Sequence, residues 1–157
     1  MRRVTLLVTA IGVALLLASG VALAATFDGT PAPDTFVGTP DPDDIRGRGG
    51  DDTLSGAGGT DRVRGDGGND ALSGGAGADE VRGNSGNDGM LGGGGADEIR
   101  ADDGGTDTVN AGAGADEIDA HDDPGTDTID CGDGIDTVDF DARVDVVADN
   151  CENRDPH

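Results

Sequence analysis

An apolar residue recurs every nine positions along most of this chain, and that period constrains the fold more than any other feature. It falls at Phe36, Ile45, Leu54, Val63, Leu72, Val81, Met90 and Ile99. It resumes at Val109, Ile118, Ile129 and Val138, with one extra residue before Val109 and two before Ile129. Two positions before each stands an aspartate: Asp34, Asp43, Asp52, Asp61, Asp70, Asp79, Asp88, Asp97, Asp107, Asp116, Asp127 and Asp136. From Gly50 onward a glycine stands four positions before each, through Gly134. A fixed period of this kind marks a repeat architecture, in which one unit buries its apolar residue only against its neighbours.

Composition alone points elsewhere. Asp and Gly dominate, every basic residue is Arg, and the formal charge is −23. Low hydrophobicity with high net charge is the usual signature of a disordered chain. Disorder, however, does not select a register that survives two insertions. The charge excludes nucleic acid and anionic lipid as partners, since both need a basic footprint, and favours cations.

The first residues belong to a different class. Met1-Arg2-Arg3 is a short basic segment, Val4 to Val21 is apolar, and Ala22-Leu23-Ala24 has the small-x-small pattern of a cleavage site. Residues 1–24 read as a secretory signal peptide; the alternative is a membrane anchor, because the apolar run approaches spanning length. The expected organisation is a signal peptide at 1–24, a repeat roll at 25–139, and a C-terminal cap and tail at 140–157. No membrane contact is expected after cleavage.

Within each unit the tripeptide around the apolar residue suits a short strand, with the apolar side chain facing one way and its neighbours the other. The residues between must reverse the chain, and glycine tolerates the backbone angles this needs. One apolar side chain per nine residues is a thin core, and stacked turns bring rows of carboxylates together. A divalent cation between turns answers both problems. Carboxylates and turn carbonyls are hard oxygen ligands suited to calcium, and His and Cys are too few for zinc or copper. The alternative is that the aspartates are solvated turn formers.

The unit reads G-x-x-G-x-D-x-U-x with U apolar, as in Gly65-Asp66-Gly67-Gly68-Asn69-Asp70-Ala71-Leu72-Ser73. It resembles the RTX (hemolysin-type) calcium-binding nonapeptide repeat, G-G-x-G-x-D-x-U-x. The first two units depart from it, with Pro33 and Pro42 before the aspartate and no glycine at the fourth position. The resemblance implies an all-β, right-handed parallel β-roll of stacked nonapeptide half-coils. It also implies multiple Ca2+ ions held between a turn and the turn eighteen residues on, pairing Asp52 with Asp70, Asp61 with Asp79, Asp70 with Asp88, and Asp79 with Asp97, with glycine-rich carbonyls completing each shell. The expected ligands are Asp43, Asp52, Asp61, Asp70, Asp79, Asp88, Asp97, Asp107, Asp116, Asp127 and Asp136.

Half-coils divide the units between two sheets. Outward neighbours on one, such as Thr35, Thr53, Ser55, Ala71, Ser73 and Thr108, are small and mostly uncharged. On the other, Arg46, Arg64, Arg82 and Arg100 stack in a column beside Asp44, Glu80, Glu98 and Glu117. The expectation is an Arg column set against an acidic one.

Cys131 and Cys151 are the only cysteines, and in an exported chain such a pair suggests a disulfide. The stretch between them reads as a hairpin-like cap over the open end of the roll. Phe27, nine before Phe36, reads as the start of an incomplete first coil. No catalytic constellation is legible: His121 lies in an inserted turn and reads as a surface residue, and His157 accompanies no nucleophile motif. In larger relatives these repeats accompany a separate catalytic or pore-forming domain, for which no room is expected here. The overall expectation is a secreted, extracellular, non-enzymatic calcium-binding roll. The alternative is an adhesion module using a roll face to bind glycan, ice or a cell surface.

Overall fold

The computed structural model describes residues 24–101, 104–121 and 125–157. The leader read at residues 1–24 lies outside them except for Ala24. Short strands recur at the apolar positions, as the period requires. They are β1 (Thr26–Asp28), β2 (Thr35–Val37), β3 (Asp44–Arg46), β4 (Thr53–Gly58), β5 (Arg62–Gly67), β6 (Ala71–Ala76), β7 (Glu80–Ser85) and β8 (Gly89–Gly94). There follow β9 (Glu98–Arg100), β10 (Thr108–Gly114), β11 (Glu117–Ala120), β12 (Thr128–Asp130), β13 (Asp133–Gly134), β14 (Thr137–Phe140), β15 (Val146–Val147) and β16 (Asn153–Pro156).

Alternate strands go to opposite sheets. One sheet runs β1-β3-β5-β7-β9-β11-β14-β16. The other runs β2-β4-β6-β8-β10-β12-β15, with β13 paired to β10. Neighbours are parallel throughout, as stacked coils demand. Leu54 aligns with Leu72 and Leu72 with Met90; Val63 aligns with Val81 and Val81 with Ile99. The insertions do not disturb the register: Met90 still meets Val109, and Val109 meets Ile129. The described residues therefore form an all-strand parallel β-roll, and no helix among them is long and apolar enough to cross a membrane.

The apolar series is buried between the sheets from Ile45 to Val138, with Phe36 partly buried against it. A second inward position, two residues after each, adds to it. Glycine holds that position from Gly47 to Gly92, whereas Ala101, Ala111, Ala120 and Cys131 hold it further on and are fully buried. Strands β4 to β8 are also longer than the expected tripeptide, because the first half of the glycine turn keeps pairing, as Ala57 with Gly75 and Gly58 with Ala76.

The glycine four positions before the apolar residue is required by stacking. Gly77 and Gly86 have φ of +132° and +135°, and a Cβ on either would overlap the backbone carbonyl of Gly59 or Gly68 in the coil below. Only glycine combines that angle with that approach.

Both ends are closed. The rings of Phe27 and Phe36 stack across the sheets, centroids 4.4 Å apart, so β1 does begin the roll. At the other end Cys131 and Cys151 form a disulfide. The stretch between them is not a hairpin. β15 pairs in parallel with β12, and β16 in parallel with β14. The tail winds as another coil, because Val146 and Val147 find an unfilled sheet edge that an antiparallel turn would leave open.

The Arg column forms as expected, with Arg46, Arg64, Arg82 and Arg100 in register. Arg62 meets Glu80 at 2.7 Å, Arg64 meets Asp44 at 3.2 Å, Arg82 meets Glu80 at 3.5 Å, and Arg100 pairs with Glu98. The Arg62 hydrogen bond holds the Glu80 carboxyl below its ordinary range. Exposed pairs of this kind contribute about 0–1 kcal/mol each; their clearer effect is to fix register and discourage face-to-face association.

Gly77→Ala should destabilise the calcium-loaded roll by more than about 3 kcal/mol. Gly94→Ala, where an added Cβ meets nothing within 4 Å, should stay within about 0.5 kcal/mol. Urea unfolding in excess calcium compares them. Cys131→Ser with Cys151→Ser should cost about 3 kcal/mol in the same assay.

Candidate metal centre

Each aspartate two positions before an apolar residue is carried to the lip of the roll by the glycine turn, then fixed by the strand after it. The backbone N–H of one such aspartate donates to Oδ1 of the aspartate one coil on. In one row Asp34, Asp52, Asp70, Asp88 and Asp107 donate in turn to Asp52, Asp70, Asp88, Asp107 and Asp127, at 2.7–2.8 Å. In the other, Asp43, Asp61, Asp79, Asp97 and Asp116 donate to Asp61, Asp79, Asp97, Asp116 and Asp136, at 2.7–2.9 Å. The structure thus brings together the expected pairs Asp52/Asp70, Asp61/Asp79, Asp70/Asp88 and Asp79/Asp97.

One carboxylate oxygen is satisfied in this way and the other is not. Oδ2 of Asp52, Asp61, Asp70, Asp79, Asp88, Asp97, Asp116 and Asp136 is sealed from solvent and receives no hydrogen bond. A carbonyl oxygen of the next coil faces the same spot: a Cβ on Gly74 would lie 2.6 Å from Asp79 Oδ2 and 2.8 Å from the Gly92 carbonyl oxygen. A buried acceptor without a donor is costly. A cradle of carboxylate and carbonyl oxygens, all acceptors, calls for a hard cation, and calcium fits it.

Burial is the main force on these carboxyls. It pushes Asp52, Asp61, Asp88 and Asp97 up to about 6, against the opposing pull of the backbone N–H each accepts. Asp70, Asp79 and Asp116 are raised for the same reason. Neighbouring carboxylates add to the effect, as Asp70 and Asp34 do on Asp52.

The ends of both rows differ. Asp34 Oδ2 accepts from Thr30 N at 2.6 Å and from Thr30 Oγ1 at 3.1 Å; Asp43 Oδ2 accepts from Thr39 N at 2.5 Å. The two Thr-Pro units therefore satisfy internally the oxygen that is left bare further along. This sets Asp43 apart from the other aspartates expected as ligands. At the far end Asp127 N donates to Asp145 Oδ1 at 2.9 Å, while Asp145 Oδ2 accepts from Asp141 N at 2.8 Å. Asp136 N donates to Glu152 Oε2 at 3.1 Å. Asp145 and Glu152 were not among the expected residues. Asp145 stands two before Val147, the same spacing as every repeat, and was legible; Glu152 precedes Arg154 rather than an apolar residue and carried no such signal. Outside the aspartate rows Asp51, Asn69 and Asn87 accept in turn from Asn69 N, Asn87 N and Thr106 N, an outer ladder tying the same turns together.

The family model of the RTX calcium-binding nonapeptide repeat (4 copies) matches residues 28–63, 64–99 and 101–138. The chain belongs to that family. Its RTX repeats bind Ca2+, in multiple copies along the roll. No curated protein and no solved structure gives a significant match to the chain.

The raised carboxyls set a pH dependence with a definite sign. A folded-state pKa above the ordinary 3.8 means that the metal-free roll holds protons which the unfolded chain has released. Its stability is greatest below that value and is lost as pH rises through about 6. Calcium reverses the slope, because protons compete for the same oxygens. Thermal melts should show the chelated chain more structured at about pH 5 than at about pH 7, and the calcium midpoint rising as pH falls below about 6.

Proposed function

We propose that this protein is an extracellular, non-enzymatic calcium-binding roll that folds when calcium fills the sites between its coils. The observation that carries this reading is the set of buried Oδ2 atoms without a donor at Asp52, Asp61, Asp70, Asp79 and Asp97, each with a carbonyl oxygen of the next coil at the same spot. The ligands are Asp52, Asp61, Asp70, Asp79, Asp88, Asp97, Asp107, Asp116, Asp127 and Asp136, with turn carbonyls; the Thr-bonded Asp43 is structural. RTX repeat proteins are typically secreted, and the apolar leader ending at Ala24 agrees with export. Extracellular calcium modules work at about 10⁻⁴–10⁻³ M, so the chain would stay unfolded in a low-calcium cytoplasm and fold outside. An adhesive role gains nothing from the small, mostly uncharged face. Its Thr column is broken by Ala71, Gly89 and Val146, and its neighbour column by Leu91 and Asn110.

Calcium titration of single variants by calorimetry tests the reading. Asp70→Asn and Asp88→Asn should each raise the midpoint several-fold and remove one site, whereas Asp43→Asn should leave stoichiometry unchanged. Equal effects at all three positions would contradict the assignment.

A further inference from the structure

Only two histidines occur in this chain, thirty-six residues apart, and the fold puts them face to face. The rings of His121 and His157 lie 4.9 Å apart between centroids, tilted by 45°. His121 follows β11 and His157 follows β16, on either side of β14 in the same sheet. His157 is tied there by its N–H to the Phe140 carbonyl at 3.0 Å.

Two carboxylates complete the group. The column of outward Arg residues ends at Arg100; beyond it the same column continues as Asp119, Asp139 and Asp155. His121 Nδ1 lies 3.6 Å from Asp119 Oδ1, and His157 Nε2 lies 3.0 Å from Asp139 Oδ1. One ligand atom from each of Asp119, His121 and Asp139 falls within 4.8 Å of the others. Oδ1 of Asp119 and of Asp139 is sealed from solvent yet receives no aligned hydrogen bond.

We propose that Asp119, His121, Asp139 and His157 form a second metal site, for a divalent transition-metal ion of the zinc kind. Zinc bonds of about 2.0–2.2 Å in tetrahedral array set adjacent ligand atoms roughly 3.4 Å apart, close to the two separations above. The donor set separates this site from the repeat turns. Calcium takes oxygen ligands, while two imidazoles with two carboxylates suit zinc, cobalt or nickel. The sequence hid it because two histidines among so many acids give no ligand spacing; coiling brings them together. An ion here would also bridge β11 and β14 to the β16 tail.

Zinc binding to the whole mature chain, measured by competition with a colorimetric chelator in saturating calcium so that the turns are filled, tests the proposal. One tight zinc per chain is expected. The His121→Asn, His157→Asn double variant should weaken it at least about 100-fold while leaving the calcium titration unchanged. With cobalt in place of zinc, the native chain should give the intense visible bands of tetrahedral nitrogen–oxygen ligation, and the double variant should not. Absence of zinc binding in saturating calcium would overturn the site. So would zinc binding that survives the double variant but is lost in Asp70→Asn, since the ion would then sit in the turns.

Discussion

A carboxylate clamped between two coils, one oxygen satisfied and the other bare, is the constraint on which the rest of this structure depends. The satisfied oxygen sets the stacking, because the N–H of each aspartate reaches the aspartate of the next coil at 2.7–2.9 Å. The bare oxygen sets the requirement for a cation. Burial raises these groups toward about 6, so at neutral pH a metal-free roll must hold ionised, desolvated and mutually repelling carboxylates. The apolar core is one large side chain per half-coil with glycine or alanine beside it, too thin to offset that cost and the ordering of the glycine turns. On the reading proposed above, folding and calcium binding are one event.

The ends show how the chain confines that dependence to its middle. Thr30 and Thr39 donate to the first aspartate of each row, and the backbone of Asp141 does the same for Asp145. These coils stack by the same rule but leave no bare oxygen for a metal. Stacked rings of Phe27 and Phe36 close one end, and a disulfide between Cys131 and Cys151 pins the other. Terminal units of a solenoid need such covers because they lack one neighbour. Here the covers are worn-down copies of the repeat itself.

Much of this was legible in the sequence because the period is strict. The apolar series marked the strands, while the half-coil rule that the family resemblance implies divided them between two sheets, paired the aspartates eighteen residues apart and lined up the Arg column. Three features were not legible, each for a physical reason. The second inward position is mostly glycine, so its role as core shows only where Ala101, Ala111, Ala120 and Cys131 replace it. The tail read as a hairpin because Asp141-Ala142-Arg143 breaks an apolar run, a local turn signal. The open sheet edges outweighed it and drew β15 and β16 into parallel pairing. The meeting of His121 with His157 depends on how the tail coils, which no spacing records.

Far-ultraviolet circular dichroism of the mature chain, titrated with calcium, then with chelator, and in parallel with magnesium, tests the central claim most directly. The account predicts a coil in chelator, a cooperative and reversible gain of strand signal with calcium, and none with equal magnesium, whose small rigid shell suits these cradles poorly. A full strand signal already present in chelator at neutral pH would contradict it. The bare carboxylate oxygens would then be tolerated without an ion, and the fold would rest on its core and its disulfide instead.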